Sequence, residues 1–189
     1  MQIVESFTVD RPIGEVWALF KDVPEVARCL PGAALTQDHG DGTFSGTLAV
    51  KLGPISSSFD GEATVVASDD DFRMEIVGKG VDRSAGSQGR VTVEVTLVAQ
   101  DSDNTEVMID AQVMLAGPIA QFGRTGLIAE VSKRLIGDFT ECLHAKLSAQ
   151  SVEESSKIHA GKVKGLSLLF AGLWASIRNV FRKGSPPTD

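Results

Sequence analysis

Residues 107–148 read VMIDAQVMLAGPIAQFGRTGLIAEVSKRLIGDFTECLHAKLS, and the change of period inside this stretch decides the fold. Before Gly117-Pro118, the apolar residues Val107, Ile109, Ala111, Val113 and Leu115 recur at every second position, the spacing of a strand with one buried face. After it, Ile128, Val131, Leu135, Phe139 and Cys142 recur at three or four residues, flanked by Ile136, Leu143 and Leu147. That spacing predicts one long helix over about 119–148.

Toward the N-terminus the period of two persists. Val91, Val93, Val95 and Leu97 alternate with more polar neighbours. Phe72, Met74 and Ile76 mark a short strand after the turn Asp69-Asp70-Asp71. Ser57, Phe59, Gly61, Ala63 and Val65 share a face, as do Phe44, Gly46, Leu48, Val50 and Leu52 before a tight turn at Gly53-Pro54. Residues 2–9 predict a first strand. Asp10 then caps a helix with Pro12 in its first turn, and Pro24 opens a second short helix ending near Cys29. Such one-face alternation belongs to a meandering antiparallel sheet. The order is strand, two short helices, about six strands and one long helix. It predicts an α+β helix-grip fold, a curved antiparallel sheet wrapped on a long C-terminal helix.

A sheet face and a single helix do not fill the space between them, so this arrangement tends to keep an apolar cavity. Its expected lining is Phe44, Leu48, Phe59, Met74, Ile76, Val93, Val95, Ile109 and Val113 on the sheet, facing Phe122, Val131 and Leu135 on the helix. The small residues Gly46, Gly61, Ala63 and Ala111 are expected to leave room. A wall with few polar groups selects ligands by shape and apolar area. The alternative is a dry core filled by the same side chains.

The 189 residues suit one domain plus an appendage. We read residues 1–148 as the domain, 149–164 as a linker, 165–183 as an amphipathic helix and 184–189 as a disordered end. Net charge −7 argues against nucleic-acid binding. The charge is unevenly spread: residues 157–189 carry +5 and residues 1–156 carry −12. In the tail, Leu166, Leu169, Phe170, Leu173, Trp174, Ile177, Val180 and Phe181 fall on one arc, with Arg178, Arg182 and Lys183 outside it. Aromatic residues on one face and bases on the other describe a helix lying on an anionic membrane. A helix docking on the body's own surface, or on a partner, is the alternative. No apolar run reaches the ~20 residues of a membrane span, and no signal peptide is expected.

Sites for chemistry are scarce. His39, His144 and His159 have no second ligand at metal spacing, so no metal site is expected. There is no Tyr and no Gly-x-Ser-x-Gly elbow. Cys29, near the rim of the expected pocket, and Cys142, on the helix stripe, read as free thiols in a reducing cytoplasm. Residues 78–90 are glycine-rich, but Val91 begins a strand where a phosphate loop needs a helix. They read as an exposed, flexible loop. Gly78, Gly80, Asp82, Arg83 and Gly86 would form a gate or a partner contact, and a plain hairpin connection is equally open.

Four segments in order carry a family resemblance. They are Pro24-Glu-Val-Ala-Arg-Cys-Leu-Pro-Gly32, Lys51-Leu-Gly-Pro-Ile55 with Phe59 and Gly61, Gly78-Lys-Gly-Val-Asp82 with Ala85-Gly86, and Gly117-Pro-Ile-Ala-Gln-Phe-Gly123. With them the chain resembles, over residues 1–148, the carbon monoxide dehydrogenase CoxG family of the START-like (SRPBCC) polyketide cyclase and lipid-transport superfamily. The resemblance implies a non-enzymatic accessory protein of a molybdenum CO dehydrogenase-type hydroxylase. An oxidoreductase feeding a respiratory chain must reduce a quinone in the bilayer. The expected ligand is therefore lipophilic, preferably an isoprenoid quinone such as menaquinone, with no covalent cofactor. The expected location is cytoplasmic, peripheral on the inner face of the plasma membrane. The alternatives are an assembly chaperone for that enzyme and a small-molecule cyclase or hydrolase.

Overall fold

The computed structural model describes residues 1–52, 55–124 and 127–149, with the backbone alone at 52, 55, 122–124 and 127–129. Seven strands build it: β1 Gln2–Val9, β2 Ala33–Asp38, β3 Thr43–Leu52, β4 Ile55–Ser68, β5 Arg73–Asp82, β6 Ser87–Ala99 and β7 Thr105–Ala116. They form one antiparallel sheet in the order β1-β7-β6-β5-β4-β3-β2. Helices α1 Ile13–Lys21 and α2 Val23–Cys29 interrupt the meander after β1, and α3 Leu127–Ser148 follows β7. The helix-grip α+β reading holds. Gly53-Pro54, the linker beyond Ala149, the 165–183 segment and the 184–189 end lie outside the described residues.

Four local readings change. The edge strand β2, not singled out from the sequence, pairs with β3 through an irregular register between Leu35 and Gln37. The expected single helix over 119–148 is divided, with a 3₁₀ turn at Pro118–Arg124 and α3 starting only at Leu127. Gly123 and Gly126 place two poor helix formers at that junction. Asp10 does not cap α1. Pro12 occupies the cap position without a side-chain hydrogen bond, whereas Asp22 caps α2 by accepting from the Glu25 amide at 3.2 Å.

The largest change concerns residues 78–90, which are strand rather than loop. Gly78 pairs with Val91, Gly80 with Gly89 and Asp82 with Ser87, leaving only 83–86 as the turn. Glycine weakened the strand signal there. Tertiary pairing explains its presence: Gly46, Gly61, Gly80 and Gly89 stand side by side on β3, β4, β5 and β6. A Cβ on Gly61 would lie 2.0 Å from the Lys79 carbonyl oxygen, and one on Gly46 would lie 2.7 Å from that of Ala34. Gly46 and Gly61 therefore let backbones close up and do not leave room in a cavity, contrary to the sequence reading.

One end of the concave face is a packed core. Val9, Val16, Trp17, Phe20, Met74, Val95, Leu97, Val107, Ile109, Phe139 and Leu143 bury together there. Phe139 meets Phe7 and Phe20 edge-on, and Phe72 meets Trp17 in the same way. The Trp17 indole donates to Asp69 at 2.6 Å and Lys21 to the same oxygen at 2.8 Å. The cysteines correct the free-thiol reading: Cys29 and Cys142 form a disulfide with Cα atoms 5.4 Å apart. One helical turn from it, the buried Lys146 amine donates to Glu25 at 2.5 Å. Residues 25 and 29 thus meet 146 and 142, so α2 runs antiparallel to α3 and is tied to it twice. Neither sulfur stands alone as a reactive thiol.

Candidate functional site

Along α3 the burial of the sheet-facing stripe falls steadily. Leu143 is fully buried and Phe139 is 7% exposed, whereas Leu135 and Val131 are only half-buried. The sheet follows the same gradient. Beneath the C-terminal half of α3, Met74, Val95 and Ile109 are sealed in the packed core, with Ile76 and Val93 at its margin. Toward the other end, Phe44, Ala63, Gly78, Val91 and Val113 stand in one row across five strands. In this row Phe44 and Gly78 are buried, and Ala63, Val91 and Val113 stay half-buried despite pointing to the concave side. Leu48, one strand pair further, is also half-buried. Beyond the row a second, smaller cluster closes the end: Phe59 and Ile119, with Val50, Leu115 and Val131 against them.

The glycine row shapes this end. Phe59 lies over it: Cβ atoms built on Gly80 and Gly89 would meet the Phe59 side chain at 3.1 and 3.8 Å, and the Gly89 one would also meet Leu115 at 3.5 Å. Glycine on β5 and β6 thus lets the Phe59 ring settle on bare backbone. Between the two clusters remains an apolar stretch, bounded by Leu48, Val91, Val113 and Leu135, with no charged side chain among these four. Apolar surface held half-open between two packed clusters can take a lipophilic molecule by area and shape.

The expected lining residues therefore separate into three groups. Met74, Val95 and Ile109 lie inside the packed core, and Phe59, Gly61 and Val131 belong to the closing end. Phe44, Leu48, Val113 and Leu135 border the half-open stretch, and Ile76 and Val93 reach it from the core. The Phe122 side chain lies outside the described ones. Sequence reasoning missed Val91 and Leu115 as lining, although each shares the alternating face of Val93 or Val113.

The expected gate residues sit on the β5–β6 hairpin. Gly78 and Gly80 are mid-strand, Arg83 is exposed, and Gly86 holds the turn at φ +62°. Asp82 is buried and accepts from the Ser57 and Ser84 hydroxyls and from the amides of Ser58, Ser84 and Ala85. Those hydroxyls, Ser57 first, hold its carboxyl well below the usual carboxylate range. The turn is also pinned from outside. Gly117, at φ +81°, brings its Cα so close that a Cβ would lie 2.4 Å from the Gly86 carbonyl oxygen. The Ile119 amide donates to the Ser87 hydroxyl at 3.4 Å. A depression of about 290 Å³ beside the turn is lined by Ala49, Val50 and Lys51 of β3 and by Ser56, Ser57, Ser58 and Ser84.

No group of three His, Cys, Asp or Glu side chains that could hold a metal ion occurs among the described residues. His39 meets the Ser45 hydroxyl at 2.8 Å, His144 the Thr8 carbonyl at 3.2 Å, and His159 lies outside the described residues. Among the described residues no helix is long and apolar enough to cross a membrane.

Comparison with known structures places the fold. A conserved protein of Geobacillus kaustophilus superposes with a TM-score of 0.68 at 17% identity, covering 78% of this chain and 95% of that one. The Zhui aromatase/cyclase of Streptomyces sp. R1128 gives 0.57 at 14% identity, covering 78% and 93%. A START superfamily protein of Mycobacterium smegmatis gives 0.50 at 13% identity, covering 72% and 92%. At such identities the likeness is one of fold. No curated protein matches the sequence. The family model for CoxG, a carbon monoxide dehydrogenase subunit, in contrast matches residues 6–148, which span the sheet from β1 together with α3. The chain therefore belongs to the carbon monoxide dehydrogenase CoxG family.

Proposed function

We infer that the protein is a non-enzymatic accessory protein that carries a lipophilic ligand for a molybdenum CO dehydrogenase-type hydroxylase. The observation that carries this reading is the half-buried apolar row Ala63–Val91–Val113 facing Leu135, set between two packed clusters. Family membership points to the partner. An isoprenoid quinone, menaquinone for instance, fits best. Its chain is apolar, its head needs few polar contacts, and it is the acceptor that such an enzyme must reach in a membrane. The basic 165–183 segment would tether the complex to the anionic inner face of the plasma membrane.

Organic extraction of the purified full chain, followed by mass spectrometry, tests the ligand. The parent should release a stoichiometric lipophilic species. Val113→Asp should lose it while keeping its melting transition, because an unpaired charge on an apolar wall opposes apolar binding. An extract empty of lipid from the parent, or equal ligand in parent and variant, overturns the reading. For the tether, the full chain should co-sediment with anionic vesicles and a chain ending at Gln150 should not.

A further inference from the structure

The convex face of the sheet exposes apolar side chains on several strands, Val66 on β4 and Val81 on β5 among them, but most of them gather toward the β1 edge. Val4 on β1, Met108 and Met114 on β7 and Val98 on β6 point outward and are 67%, 39%, 61% and 39% exposed. These four lie on the three strands at one edge of the sheet, apart from Val66 and Val81 farther across it. Val4 stands opposite Asp110, Met108 between Ser6 and Thr96, and Val98 opposite Glu106. Met108 is thus diagonal to both valines, within reach of long side chains. Met114 continues the line six residues further along β7, about 20 Å away.

Carboxylates run through this strip. Asp110, Glu94 and Glu75 are directly adjacent on β7, β6 and β5, and Glu106 lies four residues from Asp110 along β7, beyond Met108. Like charges side by side on a sheet are destabilising. Arg73 answers one of them, Glu94. Asp110 and Glu106 accept from the neutral amides of Gln2 and Gln100. Arg90 stands opposite Met114 at the far end. The Val98–Met108–Val4 end therefore combines exposed apolar groups with excess negative charge, and it suits a basic, amphipathic occupant.

Such an occupant leaves the fold beside it. The Leu147 carbonyl accepts from Arg11 at 3.3 Å, and His144 meets the Thr8 carbonyl, so α3 ends over the end of β1. Thr8, Glu106 and Val98 share the row at that end. From Ala149, the fifteen residues 150–164 reach up to about 50 Å. This is ample to round the β1 edge. The 19-residue segment 165–183, about 28 Å long as a helix, is comparable in length to the strip.

We propose that segment 165–183 docks in cis on the convex face of β1, β7 and β6. Its apolar side chains cover Val98, Met108 and Val4, and Arg178, Arg182 and Lys183 answer Asp110, Glu94, Glu75 and Glu106. Methionine side chains adapt to such a partner without a preformed pocket. The proposal stands apart from the ligand reading. It gives the tail a seat on its own body that competes with any membrane or partner seat.

The test uses acrylamide quenching of Trp174 in the delipidated full chain, with Trp17, buried in the core, as an internal constant. Quenching of Trp174 should be about threefold weaker than in the isolated 165–183 peptide, as expected for an indole covered by apolar surface. It should not change with protein concentration. Asp110→Lys with Glu94→Lys should restore full quenching, and adding Arg178→Glu with Arg182→Glu should shield Trp174 again. Quenching equal to the free peptide overturns the proposal. So does shielding that grows with concentration, which would mean a second copy, and so does shielding indifferent to the charge reversals, which would put the tail on another face.

Discussion

The packed end of the concave face and the stretch beside it share the same sheet and the same helix, yet one is sealed and the other stays half-open. At the sealed end three helices cover four strands, and the side chains are large: Trp17, Phe20, Leu97, Phe139 and Leu143. Beyond it α3 and the 3₁₀ turn carrying Ile119 lie over the sheet, and the strands supply glycine and alanine where the packed end supplies leucine and methionine. The lesson is that a continuous apolar face does not make a continuous core. Coverage decides which part becomes dry packing and which stays available to a ligand.

The sharpest way to break this comparison is in the sealed end. Leu143→Ala should cost about 3 kcal/mol in denaturant unfolding, the range for emptying a fully buried leucine site. A loss below about 1 kcal/mol would mean that the end is not close-packed. Next is the covalent tie. The disulfide closes a separation of 113 residues, and replacing both cysteines by alanine should cost about 3 kcal/mol. Reductant should lower the melting temperature of the parent and leave the double variant unmoved. A parent indifferent to reductant would show that the two thiols are free.

The glycine row sharpens the comparison from the other side. Gly61→Ala should destabilise by about 2 kcal/mol, because its methyl group meets strand backbone rather than a yielding side chain. Gly137→Ala, within α3 and with nothing within 4 Å, should be neutral or stabilising by up to about 1 kcal/mol. Equal effects at both positions would remove the close-approach argument.

A pH measurement isolates the hub at the far turn. The Asp82 carboxyl is held below its unfolded value by the Ser57 and Ser84 hydroxyls. Its stabilisation is therefore fully present above the usual carboxylate range and is lost as pH falls through and below that range toward the folded value. Asp82→Asn should flatten the acid limb of the stability curve while changing the neutral plateau through the lost acceptor. An acid limb identical to the parent would mean that Asp82 is not the titrating group. The smallest effect is expected at Val113→Ala, about 1 kcal/mol or less, because the valine is only half-buried. A loss as large as that at Leu143 would close the proposed ligand stretch.

Much of this was readable in order along the chain. The period of two in Val91–Val98 and Val107–Leu115 marked strands and their buried faces, and the spacing from Val131 to Cys142 marked the helix and its stripe. Within the candidate site, Leu48, Val113 and Leu135 follow from that periodicity alone. Residues 78–90 did not yield to the same reading. Gly78, Gly80, Gly86 and Gly89 give no apolar rhythm, and their pairing depends on what stands beside them on β4 and β6. Asp82 looked like an exposed loop acid because its Ser57 partner lies 25 residues away.

The sequence by itself determined which residues face inward, where the sheet gives way to a helix, and that the basic, amphipathic segment differs in charge from the acidic body. These are local properties, set by side-chain period and by glycine and proline at turns. The tertiary structure alone decided that Cys29 and Cys142 meet, and that four glycines line up so that strands can touch. It also decided that Met74, Val95 and Ile109 lie in dry packing while Val91 and Val113 stay half-open. Each of these depends on contacts between residues far apart in the chain, and burial is a property of what covers a residue rather than of the residue.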